Sequence, residues 1–272
     1  MKAMRGLTRF GRKLPHMRWR SVPYDHDGHT YLVKRLGPDV GPQIVLVHGI
    51  GVGSSYYAPL ARVLARTAGV HVLELPGFGG APKPESPLSV EELAAVVNAY
   101  IRAASLDQPV LVGHSMGAQV VMDAVLQDPS LVPVVVAMSC VVDPQERTAL
   151  QQGLRLLQDC LRETPSANWT VLSDYARTGP RWYLRTVPSM LDYRTEEAVP
   201  QLPVPLLIVR GARDPIAGHD WAEQLQRLAP DASLVEVPRA AHVVMYTHPE
   251  KVAALILAQA GSVALSRGSR DT

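Results

Sequence analysis

Short runs of apolar residues alternate along this chain with longer segments in which apolar residues return every three or four positions. Residues 44–47, 70–75, 110–112 and 134–138 are runs rich in Val, Ile and Leu, and two more follow at 206–209 and 233–237. Such runs fit strands buried on both faces, as in a parallel sheet. Between them, residues 57–66, 90–104 and 116–126 carry helical periodicity. Ser89 and Glu92 stand as a capping box that sets the start of the second of these helices. Each late strand is followed by a helical segment, the last with Thr247 and Glu250 placed to cap it. Ahead of the alternation, residues 22–25 and 31–36 read as two short strands joined through Asp27-Gly28, a dipeptide favoured in hairpin turns. The pattern predicts an α/β fold: a mostly parallel, twisted sheet of about eight strands flanked by helices and led by an antiparallel hairpin.

Residues 143–201 break the alternation. They contain no strand pattern and read as three helices, at 144–163 behind an Asp143 cap, at 167–177 and at 181–191. Trp169, Tyr175, Trp182, Tyr183 and Tyr193 cluster here, in a chain of which only 6% is aromatic. The insertion is expected to form a helical cap over the carboxyl ends of the strands, where open α/β sheets place their ligands. Most of its aromatics are expected to hold it on the sheet, with Trp169, Trp182 and Tyr183 the candidates to line a pocket. The chain thus divides into an N-terminal arm (1–20), a core (21–142 and 202–272) and a cap (143–201).

Composition adds a few limits. A chain of 272 residues, 47% of them apolar, is ample for one large domain. No run is long and apolar enough to predict a membrane span. Of the 27 basic residues, seven fall in the first twenty, which hold no acid, so the other 20 are outnumbered by 25 acids. The body is therefore mildly acidic, which argues against a nucleic-acid partner. The basic arm lacks the apolar stretch of a secretory signal and reads as a solvated terminus capable of weak contact with an anionic surface. Cys140 and Cys160 are too few for a disulfide scaffold or a zinc cluster, and a cytoplasmic setting is expected. His16, His26, His29, His71, His219 and His248 lack metal-ligand spacing, and no phosphate-binding or dinucleotide fingerprint occurs. Neither a metal nor a cofactor is expected.

The chemistry concentrates at Gly113-His114-Ser115-Met116-Gly117, which ends one predicted strand and opens a helix. A G-x-S-x-G segment in that setting presents its serine at a sharp turn, where side chains on the flanking glycines would clash. Two further polar residues stand at strand ends: Asp214, after the run 206–209, and His242, just beyond the run 233–237.

In these features the chain resembles the α/β-hydrolase family, whose nucleophile, acid and histidine follow in that order. The resemblance implies a triad of Ser115, Asp214 and His242. His48-Gly49-Ile50-Gly51 matches the family's His-Gly segment and implies an oxyanion hole from the backbone N–H groups of Ile50 and Met116. His48 is then a structural histidine, and His114 points away from the triad. Leu75-Pro76-Gly77-Phe78-Gly79-Gly80 resembles a family loop that usually begins with Asp and ends with Ser, where this chain has Glu74 and Ala81. Asp143 is a rival for the acid, though it precedes Pro144 and reads as a helix cap.

What the resemblance implies is acyl transfer to water on a small-molecule apolar ester. Haloalkane dehalogenases and related epoxide hydrolases of this fold use an Asp nucleophile and are excluded by Ser115. Thioesterase, C–C bond hydrolase, perhydrolase and acyltransferase chemistries stay open beside carboxylesterase, as does a receptor-like member with little turnover. A small cap rich in aromatics points to modest apolar acyl or alkyl groups.

Overall fold

A computed structural model describes residues 19–268, so most of the basic arm lies outside the described residues. The chain opens with a hairpin, β1 (Arg20–His26) and β2 (His29–Leu36), paired antiparallel around Asp27 and Gly28, both at positive φ. It continues through β3 (Gln43–Val47), α1 (Ala58–Leu64), β4 (Gly69–Glu74), α2 (Val90–Ala103), β5 (Val110–His114), α3 (Met116–Gln127) and β6 (Val135–Met138). A helical insertion follows: α4 (Ala149–Cys160), α5 (Pro165–Thr178), α6 (Pro180–Asp192) and α7 (Thr195–Ala198). The chain then returns to the sheet with β7 (Leu206–Gly211), α8 (His219–Leu228), β8 (Ala232–Val237), the short α9 (Val244–Thr247) and α10 (Pro249–Gly268).

The eight strands form one sheet in the order β1-β2-β4-β3-β5-β6-β7-β8, antiparallel at β1–β2–β4 and parallel from β4 onward. Side-chain alternation along β3 shows why the strands are apolar throughout: Val45 and Val47 enter one core, Ile44 and Leu46 the other. Helices α2, α3 and α8 cover the first face; α1, α9 and α10 cover the second. Strand order reverses between β3 and β5, and the loops at their carboxyl ends open on the crevice where such sheets bind ligands.

The Ser89–Glu92 capping box is present, with Ser89 Oγ accepting the Glu92 N–H at 3.2 Å and Glu92 accepting the Ser89 N–H at 2.7 Å. Two helix starts differ from expectation. The predicted helix 144–163 is broken: a 3-10 turn at Pro144–Glu146 ends before Thr148, whose hydroxyl accepts the Gln151 N–H and starts α4 afresh. The last helix starts at Pro249. Thr247 donates back to the carbonyls of Val243 and Val244 instead of capping forward.

Candidate active site

Ser115 sits between β5 and α3 with φ 55° and ψ −123°, a conformation that costs on the order of 1–3 kcal/mol for a residue with a side chain. Close packing holds it there. Its N–H donates to Met138 O at 2.9 Å. A Cβ on Gly113 would collide with the carbonyl oxygen of Gly117, and one on Gly117 with that of Val47. Only glycine lets the turn press this tightly against β3.

Asp214 follows β7 and is fully enclosed. Its Oδ1 accepts the N–H groups of Ile216 at 2.8 Å and Ala217 at 3.0 Å, leaving Oδ2 for His242 Nδ1 at 2.9 Å. Burial acts against its charge, but the imidazole and the backbone donors hold its carboxyl below the usual carboxylate range. Arg210, buried at the end of β7, straps the loop by donating to the carbonyls of Ala217 and Asp214 while pairing with Glu236. Sequence reading missed this arginine.

His242 lies beyond β8 and is fixed from several sides. Its carbonyl accepts from Ser139 Oγ and from His114 Nε2, each at 3.0 Å. Its N–H donates to Asp159 Oδ1 on α4 at 3.0 Å, and the next N–H, of Val243, donates to Glu163 at 2.8 Å. Burial disfavours the imidazolium, yet Asp214, Asp159 and Glu163 together raise its pKa to about 9. Burial and the neighbouring Asp159 push the Glu163 carboxyl up to about 7, and burial raises Asp159 as well.

His114 departs from expectation. It does not point away: its ring lies 4.7 Å from that of His242, and its Nδ1 meets the Tyr56 hydroxyl at 3.1 Å. Burial and the nearby His242 lower its pKa to about 3, which keeps it neutral. His48 is held between the Gly49 carbonyl on Nδ1 and the Leu75 N–H on Nε2. Asp143 accepts the Gln145 N–H at 2.8 Å as a helix cap, and the carboxylate on His242 is that of Asp214.

Ser115 and His242 share a small cavity of about 40 Å³. Ile50, Val52 and Tyr56 wall it from the core; Leu156, Asp159, Val171 and Tyr175 close it from α4 and α5. Met116 begins α3 with its side chain in the core. The three aromatics proposed from sequence lie elsewhere. Trp169 is 77% exposed on the outside of α5, Trp182 is buried against Gly77, and Tyr183 packs behind Tyr175 with ring centroids 5.0 Å apart. The available signal was the spacing Ala167, Val171, Tyr175, which marks the inner stripe of α5, with Trp169 off it. Among the described residues no helix is long and apolar enough to cross a membrane, and no group of His, Cys, Asp and Glu could hold a metal ion.

A sheet of this order with a serine at its elbow defines a hydrolase scaffold, and the comparison of sequences agrees. The alpha/beta hydrolase family profile matches residues 44–255, and the chain belongs to that family. It is 27% identical over 251 residues to a pimeloyl-[acyl-carrier protein] methyl ester esterase of Neisseria meningitidis, covering 80% of this chain and 93% of that protein. It is 26% identical over 243 residues to polyketide synthase ThaQ of Burkholderia thailandensis, of which the match spans only 12%, against 80% of this chain. Among solved structures, a thermophilic esterase from Thermogutta terrifontis superposes with a TM-score of 0.77 at 18% identity, over 90% of this chain and 99% of that one, a likeness of fold.

Proposed function

We propose that the protein is a serine hydrolase cleaving carboxylic esters of small to medium apolar acyl or alkyl groups, with residues 143–201 as the cap over its site. One observation carries the reading: the imidazole of His242, bonded to Asp214 through Nδ1, lines the same cavity as Ser115. With Nδ1 committed to Asp214, Nε2 is the nitrogen left to take the Ser115 proton as Oγ attacks the ester carbonyl. Asp214 stabilises the imidazolium that forms. The Met116 N–H, first in α3, has no acceptor within its helix and stands at the positive end of the helix dipole. Together with the Ile50 N–H it is assigned to the oxyanion. His242 then protonates the leaving alkoxide and activates the water that cleaves the acyl-enzyme.

The apolar walls supplied by Ile50, Val52, Leu156, Val171 and Val243 support an apolar group. The Neisseria relative's name gives a methyl ester as substrate, in keeping with ester cleavage. A cavity of about 40 Å³, against the ~300 Å³ of an ordinary ligand site, favours the small end of the proposed substrate range. Hydrolysis of p-nitrophenyl esters from acetyl to palmitoyl, wild type beside Ser115→Ala, tests the proposal. Activity that disappears in Ser115→Ala supports it. A folded wild type inert on every ester overturns it.

A further inference from the structure

Helix α4 is amphipathic in the reverse sense from a helix packed on a core. The residues it turns toward the site and the His242 loop, Gln152, Leu156 and Asp159, are followed just past its end by Glu163, so three of the four are polar. The stripe facing away is Leu150, Leu154, Leu157 and Leu161, spaced to share one helix face and between 53% and 83% exposed. A surface helix normally buries its apolar stripe. The next two helices extend the pattern: Trp169 and Leu172 stand exposed on α5, and Leu184 on α6.

Charge on this face is mostly of one sign, with exposed Glu85 beside Arg185 and exposed Asp192 at the end of α6 as the acids at its edge. Between residues 149 and 190 the carboxylates are Asp159, Glu163 and Asp174, and none is exposed: the first two bond the His242 loop, and Asp174 accepts the Gly53 N–H. Of the five arginines of the same segment, Arg155 is half-buried and paired with Glu146, while Arg162, Arg177, Arg181 and Arg185 are exposed, Arg177 pairing with Asp174. Lys83 adds a cation close to Gly179 in the turn between α5 and α6. The chain also enters the described structure here, since Trp19 borders a surface pocket with Asp174 and Arg177 of α5. The 18 residues before Trp19 carry Lys2, Arg5, Arg9, Arg12, Lys13 and Arg18 and no acid.

We propose that the outer face of α4–α6 docks on an anionic lipid bilayer, the leucines and Trp169 entering the headgroup boundary and the exposed arginines pairing with lipid phosphates. Exposed apolar residues flanked by an excess of exposed cations match what an anionic membrane surface selects in an interfacial helix. An uncharged apolar partner would bring no counter-charge to the excess of exposed cations, and a second copy docked face to face would set arginine against arginine.

The test is co-sedimentation of the full chain with phosphatidylcholine vesicles with and without phosphatidylglycerol. The expected result is binding that needs phosphatidylglycerol, weakens with added salt and falls at least about tenfold in Leu154→Ser/Leu157→Ser. Arg162→Gln/Arg181→Gln should weaken binding to the anionic vesicles while leaving the fold, followed by circular dichroism, intact. No binding by the wild type overturns the proposal. So does binding unchanged in the leucine variant, which would leave the arm alone responsible. Light scattering that shows a dimer converted to monomer by the leucine substitutions would make a second copy the occupant and overturn it equally.

Discussion

Asp159 Oδ1 accepts the backbone N–H of His242 at 3.0 Å, so the helix that closes the cavity is bonded directly to the loop that carries the imidazole. Glu163 repeats the contact one residue later, on Val243. The two carboxylates therefore do two things. They anchor the insertion to the histidine loop, and they add negative charge around an imidazole that already faces Asp214.

The first consequence concerns pH and rate. In the proposed mechanism only neutral His242 can accept the Ser115 proton, and its pKa is raised to about 9. Ester hydrolysis, as kcat/KM, is expected to rise roughly tenfold per pH unit through neutrality and to level off near that value. Asp159→Asn keeps an acceptor for the His242 N–H but removes one charge that favours the imidazolium. The ascending limb should move to lower pH and activity at neutral pH should rise relative to the plateau. A limb left in place would show that Asp159 has no hold on the imidazole.

A second consequence concerns stability. The Glu163 pKa is raised to about 7, above its ordinary value, so the folded state binds this proton more tightly than the unfolded chain. Its contribution is present below the ordinary carboxylate pKa and is lost as pH rises through about 7. His242 shifts the same way, but its loss comes nearer pH 9, whereas Asp214, lowered by its partners, contributes above the ordinary carboxylate pKa. Thermal unfolding should therefore show a decline between mildly acid and neutral pH that is flattened in Glu163→Gln. An equal decline in the variant would place its cause elsewhere.

The choice of acid is testable by two substitutions. Asp214 bonds His242, while Asp143 caps a 3-10 turn. Asp214→Asn should lower kcat by up to about 10⁴-fold through loss of the correct imidazole orientation and tautomer. Asp143→Asn, which keeps a side-chain oxygen for the Gln145 N–H, should stay within a few-fold of wild type. The reverse ranking would move the acid to Asp143.

Much of the fold was legible because its inner strands, β3 to β7, are buried on both faces and so write themselves largely as apolar runs, from 44–47 in the middle to 206–209 near the end. The elbow was legible for a steric reason, since Gly113 and Gly117 are demanded by backbone on either side. The insertion was less so. The end of its first helical turn before Thr148 depends on a hydroxyl competing for one backbone N–H, which a run of helix-compatible residues does not announce. Asp159 acts on the N–H of His242 across 83 residues, and Arg210 reaches only four and seven residues ahead around the Asp214 loop, but neither carries a pattern that marks it in the sequence. His114 was misplaced because the side-chain direction within a strained turn is set by packing against His242 and Tyr56.

Trp169 shows how residue size misleads where periodicity does not. As the larger aromatic it invites a pocket role, yet the inner stripe of α5 runs through Ala167, Val171 and Tyr175, and Trp169 stands outside. Trp169→Ala should leave stability within about 0.5 kcal/mol of wild type and ester hydrolysis in free solution unchanged. Tyr175→Ala removes a wall of the cavity and should shift the preferred ester toward longer acyl chains. Comparing kcat/KM across the p-nitrophenyl ester series in the two variants separates the roles. A shifted chain-length optimum in Trp169→Ala with none in Tyr175→Ala would reverse the assignment and require α5 to turn its other face to the substrate.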